Sequence, residues 1–387
     1  MSAIGPVSVD MYLPGFAAIA ADLGTDISHV ALSLTSFFIG IAIGQMASGP
    51  VMDRYGRKKP LIAGLVLYVA TALGCAFSPS IQFLIALRFL NAIGASVCMA
   101  SARAVVRDLF SGIEIARVLS LLLMVYGIAP VIAPTIGGMV VAAFGWRAIF
   151  HICAALAALT LVTVILFLPE SKGPDAAISL RPRKVLRQYV SLFKEPAFLT
   201  YALANTAATA GFFCYITGSP FVYMKLLDFT ETQFGWIYGA NVIGLIAANQ
   251  VNRILLKRRG SAEILTLATS VSLGMITLLL VATLMGFTGR LWMPGMIFCF
   301  LFCFGFINAN AMALALQPFT RNAGSAAALM GSMQMVAGAS GSAMVSYLHS
   351  GTAIPMLSVM AGSIAISLVV LACAPLLLKN ALATPTR

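Results

Sequence analysis

The stretch GPVMDRYGRKKP, residues 49–60, is the densest charge cluster in the first half of a chain that otherwise avoids charge. It stands between two long apolar runs, so it predicts a tight turn that joins two membrane helices. The four bases between residues 54 and 59 place this turn at the cytoplasmic surface, because Lys and Arg gather in cytoplasmic loops. Asp53 is an acid at a helix boundary among these bases, and we expect it to form and release ion pairs.

The composition is that of a protein that crosses a membrane many times. Hydrophobic residues make up 60% of the chain and charged residues 9%, far from the balance of a soluble domain. The net charge of +12 could suggest nucleic acid, but the bases lie in short loops where membrane orientation explains them, so we expect no nucleic-acid partner. The seven cysteines all lie in apolar stretches, which favours small buried residues over a metal site or a disulfide.

Twelve apolar runs are long enough to cross a bilayer, which takes roughly 20 mostly apolar residues. The predicted spans lie near residues 2–21, 29–48, 60–77, 82–105, 116–143, 147–168, 197–222, 231–255, 262–286, 291–316, 323–348 and 352–378. Nineteen of the 24 Lys and Arg residues fall in the loops and tail that would face inward, whereas three fall in outward loops. This bias predicts that both termini are cytoplasmic.

The longest and most charged connection, residues 170–196, divides the spans into six and six. After the eighth span, the bases between residues 253 and 259 weakly repeat the theme of the opening cluster, without an equivalent of Asp53. Such an echo is typical of transporters built from two related halves. We therefore predict an all-α integral membrane protein with twelve transmembrane helices in two pseudo-symmetric six-helix bundles. The bundles would cover residues 1–170 and 197–387, joined by a cytoplasmic linker at 171–196.

Asp10 is the only acid deep inside a predicted span. It lies roughly 18 Å from Asp22 at the outer end, near the middle of the bilayer, if the helix rises 1.5 Å per residue. A charge at this depth is costly and by default marks a pathway, a pair or a relay. Asp10 would then line a cavity; alternatively, it belongs to a frayed amino-terminal segment in water.

Two arginines also fall within a predicted span, the fourth. Arg88 would lie at moderate depth from the outer surface, where its side chain either reaches the span interior or snorkels to the headgroups. Arg103 would lie near the cytoplasmic mouth, where boundary anchoring and a cavity role are both open. An Asp10 flanked by a cation would ionise readily, whereas an isolated one would hold its proton, and that difference is a usable switch.

The fifth span is interrupted by small residues and prolines, namely Gly127, Pro130, Pro134, Gly137 and Gly138. Small residues allow close helix contact, and prolines bend or free the backbone. A passive kink is the alternative. Aromatic residues such as Tyr238 could line an apolar drug site, although core packing is the commoner role for any one of them.

Several of these stretches resemble sequence motifs of one family of transporters. The cluster containing Gly49, Asp53, Arg54, Gly56, Arg57 and Lys58 resembles the loop signature of the major facilitator superfamily between its second and third helices. The stretch from Arg88 to Gly94 resembles the fourth-helix signature of its drug:proton antiporters, with Asn91 and Ala92 replacing the usual Gln and Gly.

The same resemblance continues elsewhere along the chain. Residues 133–138 are similar to the fifth-helix antiporter signature, with Ala133 in place of the usual Gly. Residues 9–14 and 102–108 are similar to the bicyclomycin-resistance (Bcr/CflA) branch, as is Leu168-Pro-Glu-Ser171 after the sixth span. The chain is therefore identified as resembling a drug:proton antiporter of that branch over its whole length.

The resemblance implies a fold that rocks between inward-open and outward-open states and uses the proton gradient, with no other cofactor, to expel small amphiphilic molecules. It implies a monomer in the bacterial inner membrane. By position, Asp10 would take the proton or a cationic substrate, and Arg88 would couple that event to the fifth helix. Asp53, Arg57 and Asp108 would latch the cytoplasmic side, with Asp53 facing the start of the eleventh helix near Gly324.

The same residues allow other functional hypotheses. An exporter or importer of a small metabolite fits the same fold, because the pocket residues do not name a ligand. An intramembrane enzyme needs paired acids, a Ser with a base, or a metal cluster, and Asp10 has no acidic partner in the predicted spans. A channel would show a repeated filter motif, and none is visible. We expect a transporter that is not an enzyme.

Overall fold

The computed structural model describes residues 1–110, 113–175, 190, 192–193, 195–319 and 323–383, and some helical side chains, including those of Arg103 and Arg107, lie outside that description. Every regular element in the described part is helical, which confirms the all-α prediction. The α-helices are α1 (Ile4–Asp10), α2 (Phe16–Asp22), α3 (Ile27–Tyr55), α4 (Lys58–Ala76), α5 (Ile81–Leu109), α6 (Ile113–Phe144), α7 (Arg147–Phe167), α8 (Pro196–Pro220), α9 (Glu231–Leu255), α10 (Ser261–Leu284), α11 (Trp292–Leu316), α12 (Ala323–Tyr347) and α13 (Ile354–Ala383).

If α1 and α2 are counted as one segment, the described helices form twelve segments that correspond to the twelve predicted spans. Among the described residues, ten segments have both the length and the apolar composition needed to cross a membrane. A short π-helical turn, Phe221–Leu226, continues from α8.

The first predicted span is broken rather than continuous. α1 ends at Asp10, a 3₁₀ turn follows at Leu13–Gly15, and α2 begins at once. Pro14 causes the break, because it has no N–H to donate to the carbonyl of Asp10 four residues earlier. The backbone tightens here: the Tyr12 N–H donates to the carbonyl of Val9 at 3.2 Å.

The charged stretch at residues 49–60 is mostly helix, which corrects the prediction of a turn over its whole length. α3 continues through Pro50 to Tyr55, and α4 begins at Lys58. The turn is confined to Gly56 and Arg57, because Gly56 has φ of +85°, a conformation that ends the helix and favours glycine. Likewise α5 runs to Leu109, past the predicted end at residue 105.

Residues Met1–Arg181 and Ser219–Gly239 form one compact unit. Within it α3 packs along α5, and α4 packs against both α5 and α7. Helices in a bilayer associate through close packing of small residues rather than through the hydrophobic effect. At Gly40 of α3, an added Cβ would lie 2.5 Å from the carbonyl oxygen of Phe89, so glycine is needed for this approach.

Residues Pro182–Gly218 and Ala240–Arg387 form the second compact unit. Here α10 packs against α11 and α13. Phe198, Ala202, Ala315 and Met330 share a buried apolar cluster. The predicted domain bounds, 1–170 and 197–387, stay a prediction.

Candidate functional site

Asp10 is buried at the break in the first span. Asp10 is the last residue of α1 and is 5% exposed. This burial does not fit a frayed segment in water. The Tyr238 hydroxyl, on α9, donates a hydrogen bond to Asp10 Oδ1 at 3.0 Å. Tyr238 is itself 2% exposed and belongs to the same compact unit.

The Asp10 carboxyl lacks a close cation within the described part of the chain. No described Lys, Arg or His nitrogen lies within 4.0 Å of its oxygens. A buried carboxylate is costly unless it is paired or hydrogen bonded, so the Tyr238 hydroxyl is an important partner. Such a group is able to exchange a proton or to bind a cation.

Arg88 is 1% exposed, so its side chain does not snorkel to the surface. Its Nη2 donates to the carbonyl of Ser8 at 3.0 Å, two residues before Asp10, and its Nη1 donates to Asn91 at 3.5 Å. The guanidinium also stands 4.1 Å from the ring centre of Phe37 and 4.6 Å from that of Tyr12. Aromatic faces attract a cation, so these rings replace part of its hydration.

The contacts of Arg88 in the described residues thus reach α1, α3, α5 and, through Phe150 at 5.9 Å, α7. Its predicted coupling to the fifth span stays a prediction. The other predicted cation of this group, Arg103, lies in α5, but its side chain falls outside the described residues.

Asn91 connects Arg88 to α4. Its amide donates to the Tyr68 carbonyl and to Thr71 Oγ1, both at 3.2 Å. The Tyr68 hydroxyl in turn hydrogen bonds to Ser8. These bonds join α1, α4 and α5 around the residues that precede Asp10, and they hold α1 in place.

The glycines of α6 bring its backbone against two neighbours. An added Cβ at Gly137 would overlap the Met11 carbonyl, directly after Asp10. A Cβ at Gly138 would lie 2.5 Å from the carbonyl oxygen of Glu231, at the start of α9. Pro130 and Pro134 lie within the unbroken α6, as does Gly127. Gly137 and Gly138 thus allow close helix contact, and Gly137 does so next to Asp10. The role predicted for the whole set in this span stays a prediction.

The charged cluster after α3 is built around Arg57. Its Nη1 lies 2.9 Å from Asp53 Oδ1, one helical turn earlier, and its Nε donates to Asp108 Oδ2 at 2.9 Å. The Arg57 side chain is 10% exposed, so these pairs are partly shielded from water. These pairs join the ends of α3 and α5. The predicted role of the cluster as a cytoplasmic gate stays a prediction.

Glu170 completes this cluster. Its carboxylate accepts hydrogen bonds from the backbone N–H of Arg57 at 2.6 Å and of Lys58 at 3.1 Å. These N–H groups begin α4, where the helix has no intrahelical acceptor for them. The Lys58 Nζ donates to the Ile165 carbonyl at 3.0 Å, and this hydrogen bond links the start of α4 to the end of α7.

The residues after Glu170 extend over the same cluster. Ser171 donates to Asp108 at 3.2 Å, and Lys172 lies 3.5 Å from Asp53. The backbone N–H of Asp175 donates to the Asp53 carbonyl at 3.4 Å. The start of the predicted linker is thus part of this charged cluster.

Two other predicted gate residues, Gly49 and Arg54, also lie on α3. Gly49 lies inside α3, and a Cβ there would meet nothing within 4 Å. The Arg54 guanidinium stands 5.8 Å from the ring centre of Tyr55. The predicted approach of Asp53 to Gly324 falls on a side chain outside the described residues.

The second compact unit contains an uncharged polar cluster. Asn205 and Gln334 both donate to Asn308 Oδ1, at 3.2 and 3.3 Å, which joins α8, α11 and α12. Nearby in sequence, the rings of Phe212 and Phe304 stack with centres 4.7 Å apart. These contacts hold the three helices together.

Comparison with known proteins identifies the family. The sequence model described as Major Facilitator Superfamily matches residues 1–342. The chain belongs to the major facilitator superfamily. It is a membrane transporter, not an enzyme, as predicted.

Several superfamily relatives cover almost the whole chain. YdgK, an MFS-type transporter of Bacillus subtilis, is 33% identical over 365 residues, which is 93% of this chain and 90% of the relative. A bicyclomycin resistance protein homolog of Haemophilus influenzae is 32% identical over 370 residues, 95% and 92% of the two chains. The multidrug resistance protein MdtL of Escherichia coli is 28% identical over 336 residues, 85% and 82% of the two chains.

Solved structures of the superfamily share the fold. The nucleoside transporter NupG matches with a TM-score of 0.75 and 13% identity, covering 97% of this chain and 98% of that chain. A D-xylose-proton symporter matches with a TM-score of 0.73 and 13% identity, covering 96% and 95%. These likenesses confirm the twelve-helix superfamily fold.

Sequence reasoning about this superfamily member missed two partners. The sequence marks Glu170 only as part of a motif, and no local signal points to Arg57, 113 positions away. The sequence marks Tyr238 only as one of several aromatic residues, and no local signal points to Asp10, 228 positions away.

Proposed function

We propose that this transporter exports drugs or other small amphiphilic molecules in exchange for protons, by alternating access in the bacterial inner membrane. The observation that carries the proposal is the buried Asp10, held by the Tyr238 hydroxyl, with no described cation within 4.0 Å. A protonated Asp10 is neutral and an ionised one carries a charge, so a proton and a cationic substrate would compete for it. The two ligands then favour different states.

The names of relatives support the substrate class. One is a bicyclomycin resistance protein homolog, and another is a multidrug resistance protein. Neither name favours a metabolite exporter or an importer. We infer that the proton gradient is the energy source, that no bound cofactor is needed, and that the chain acts as a monomer. The excess of Lys and Arg in one set of loops supports cytoplasmic termini.

The gate would control access from the cytoplasm. Arg57 joins Asp53 and Asp108, and these pairs would have to separate when the cytoplasmic side opens. Partly buried charge pairs are suited to such a switch, because they have two distinct arrangements, paired and hydrated. Gly49, Arg54, Gly56 and Lys58 would shape the same loop.

Transport by the purified full chain in proteoliposomes tests the proposal, with ethidium as a fluorescent amphiphilic probe. We expect an imposed proton gradient to drive ethidium transport and Asp10→Asn to abolish the gradient-dependent part. Asp26→Asn is the matched control, because Asp26 is exposed and makes no side-chain cap hydrogen bond at the start of α3. Equal ethidium flux with and without the gradient would contradict proton coupling, and gradient-driven transport by Asp10→Asn would contradict the assignment of Asp10.

A further inference from the structure

Tyr238 makes a long-range contact with the buried carboxyl of Asp10. Its hydroxyl donates to Asp10 Oδ1 at 3.0 Å, and both residues are buried. Tyr238 is the eighth residue of α9, whereas Asp10 is the last residue of α1. The contact therefore joins the carboxyl to a helix far away in sequence.

Backbone packing fixes the position of Tyr238. An added Cβ at Gly235 would lie 2.7 Å from the Pro134 carbonyl oxygen, and one at Gly239 would lie 2.9 Å from that of Val131. The backbones of α6 and α9 thus touch on both sides of Tyr238 along the chain. Because Gly137 of α6 also touches the Met11 backbone, α6 sets the spacing between Asp10 and α9.

The ring of Tyr238 is also held. The Phe234 ring, one turn earlier, has its centre 5.9 Å away, and the Tyr223 ring lies 6.0 Å from that of Phe234. A buried ring packed in this way cannot swing its hydroxyl away freely. A change at the carboxyl, or movement of α1 or α9, would therefore break or weaken the hydrogen bond to Asp10.

Other ionisable groups surround α1, but among the described side chains Tyr238 is the one that hydrogen bonds to the Asp10 carboxyl. Arg88 of α5 bonds to the Ser8 carbonyl rather than to Asp10, and Tyr68 of α4 bonds to the Ser8 hydroxyl. The described part of α6 that touches Met11 presents glycine. The other buried titratable side chains on the turn itself and on α4, α5 and α7 are Tyr12, Cys75, Cys98 and Cys153, while the Arg103 side chain is outside the described residues.

We propose that Tyr238 is a positioning residue that links the protonation of Asp10 to the placement of α9. The inference rests on the proposed function, because it takes Asp10 as the proton site. An ionised Asp10 accepts a charge-assisted hydrogen bond from Tyr238, roughly twice as strong as the bond that a neutral carboxyl accepts. Protonation therefore weakens the hold of α1 on α9, while the phenol keeps its own proton.

Tyr238→Phe tests the link, since it removes the donor and keeps the ring. We expect the pH profile of gradient-driven ethidium transport to shift by about one unit toward higher pH, because a lost donor disfavours the ionised carboxylate. Tyr347→Phe, at a tyrosine that is 89% exposed, is the matched control and should keep the wild-type profile.

A second measurement separates linkage from a purely structural role. In the Asp10→Asn background, Tyr238→Phe should cause no further change in ethidium binding, because the charge that it serves is gone. Infrared titration of the protonated carboxyl band, with Asp10→Asn as the reference, should show the same shift in purified protein even where transport is low.

The outcomes distinguish the two proposals. If Asp10→Asn loses gradient-driven transport while Tyr238→Phe keeps the wild-type pH profile and carboxyl titration, the role of Tyr238 is overturned and the proposed function stands. If Asp10→Asn still transports ethidium in response to the gradient, the proposed proton site fails, whatever Tyr238→Phe does. An added loss in the double variant would also overturn the link, because it would show a structural role independent of the charge.

Discussion

Gly56→Ala is expected to destabilise the cytoplasmic cluster through two separable effects. Gly56 has φ of +85° and ψ of 176°, a region that residues with a Cβ avoid. Forcing alanine into it costs about 1–3 kcal/mol. In addition, the new Cβ would lie 2.9 Å from Glu170 Oε2, so the carboxylate must move.

The second effect follows from the hydrogen bonds of Glu170. Its carboxylate accepts from the backbone N–H of Arg57 at 2.6 Å and of Lys58 at 3.1 Å. Loss of this contact costs about 1.5 kcal/mol, the low end for a charged hydrogen bond, because the Glu170 residue is exposed. The total expected loss for Gly56→Ala is about 2.5–4.5 kcal/mol.

A double-mutant cycle separates the two effects. In the Glu170→Ala background, Gly56→Ala should cost only the backbone part, so the two changes together should cost about 1.5 kcal/mol less than their sum. The assay is the free energy of unfolding in mixed micelles titrated with SDS, followed by circular dichroism. Gly274→Ala is the control, since Gly274 lies inside α10 with open space around an added Cβ, and it should not lower the free energy of unfolding. Strictly additive losses, or a loss for Gly56→Ala no larger than that of the control, would refute the reasoning.

Three further changes test other contacts. Arg57→Gln removes both carboxylate contacts and should lower the free energy of unfolding by about 2 kcal/mol, less than a fully buried pair because its partners are partly exposed. Gly235→Ala places a methyl group against the Pro134 carbonyl and should cost about 1–3 kcal/mol and slow ethidium transport, whereas Gly295→Ala, with nothing within 4 Å, should do neither. Asn91→Gln adds a methylene to a fully buried amide and should lower the melting temperature, at a cost of about 1–3 kcal/mol; an unchanged melting temperature would show that the site has spare room.

The helical segments could be predicted from the sequence because a bilayer demands long apolar runs, and these runs are visible without any tertiary information. The break at Asp10 was also signalled, since Pro14 stands four residues later and cannot donate to its carbonyl. The extent of the turn after α3 was harder to predict. Polar residues such as Asp53 and Arg54 end an apolar run without ending a helix, so hydropathy marks the membrane surface rather than the helix end.

The partners within the candidate site were only partly predictable. Asp53 and Arg57 lie one helical turn apart, so their pairing follows from local spacing. Glu170 and Tyr238 reach their partners from 113 and 228 positions away, respectively. Such contacts depend on how the helices pack against one another. Hydropathy alone does not determine that packing, because the side chains at each helix contact set its geometry.

The Glu170 cap has a practical consequence for dividing this transporter into separately expressed halves. A first half cut directly after α7 would lose the acid that completes the first turn of α4, together with the Ser171 and Lys172 contacts. Co-expressed fragments divided after residue 175 keep all of these groups on the amino-terminal piece. The chain should therefore be divided several residues after the point where the hydropathy profile first falls.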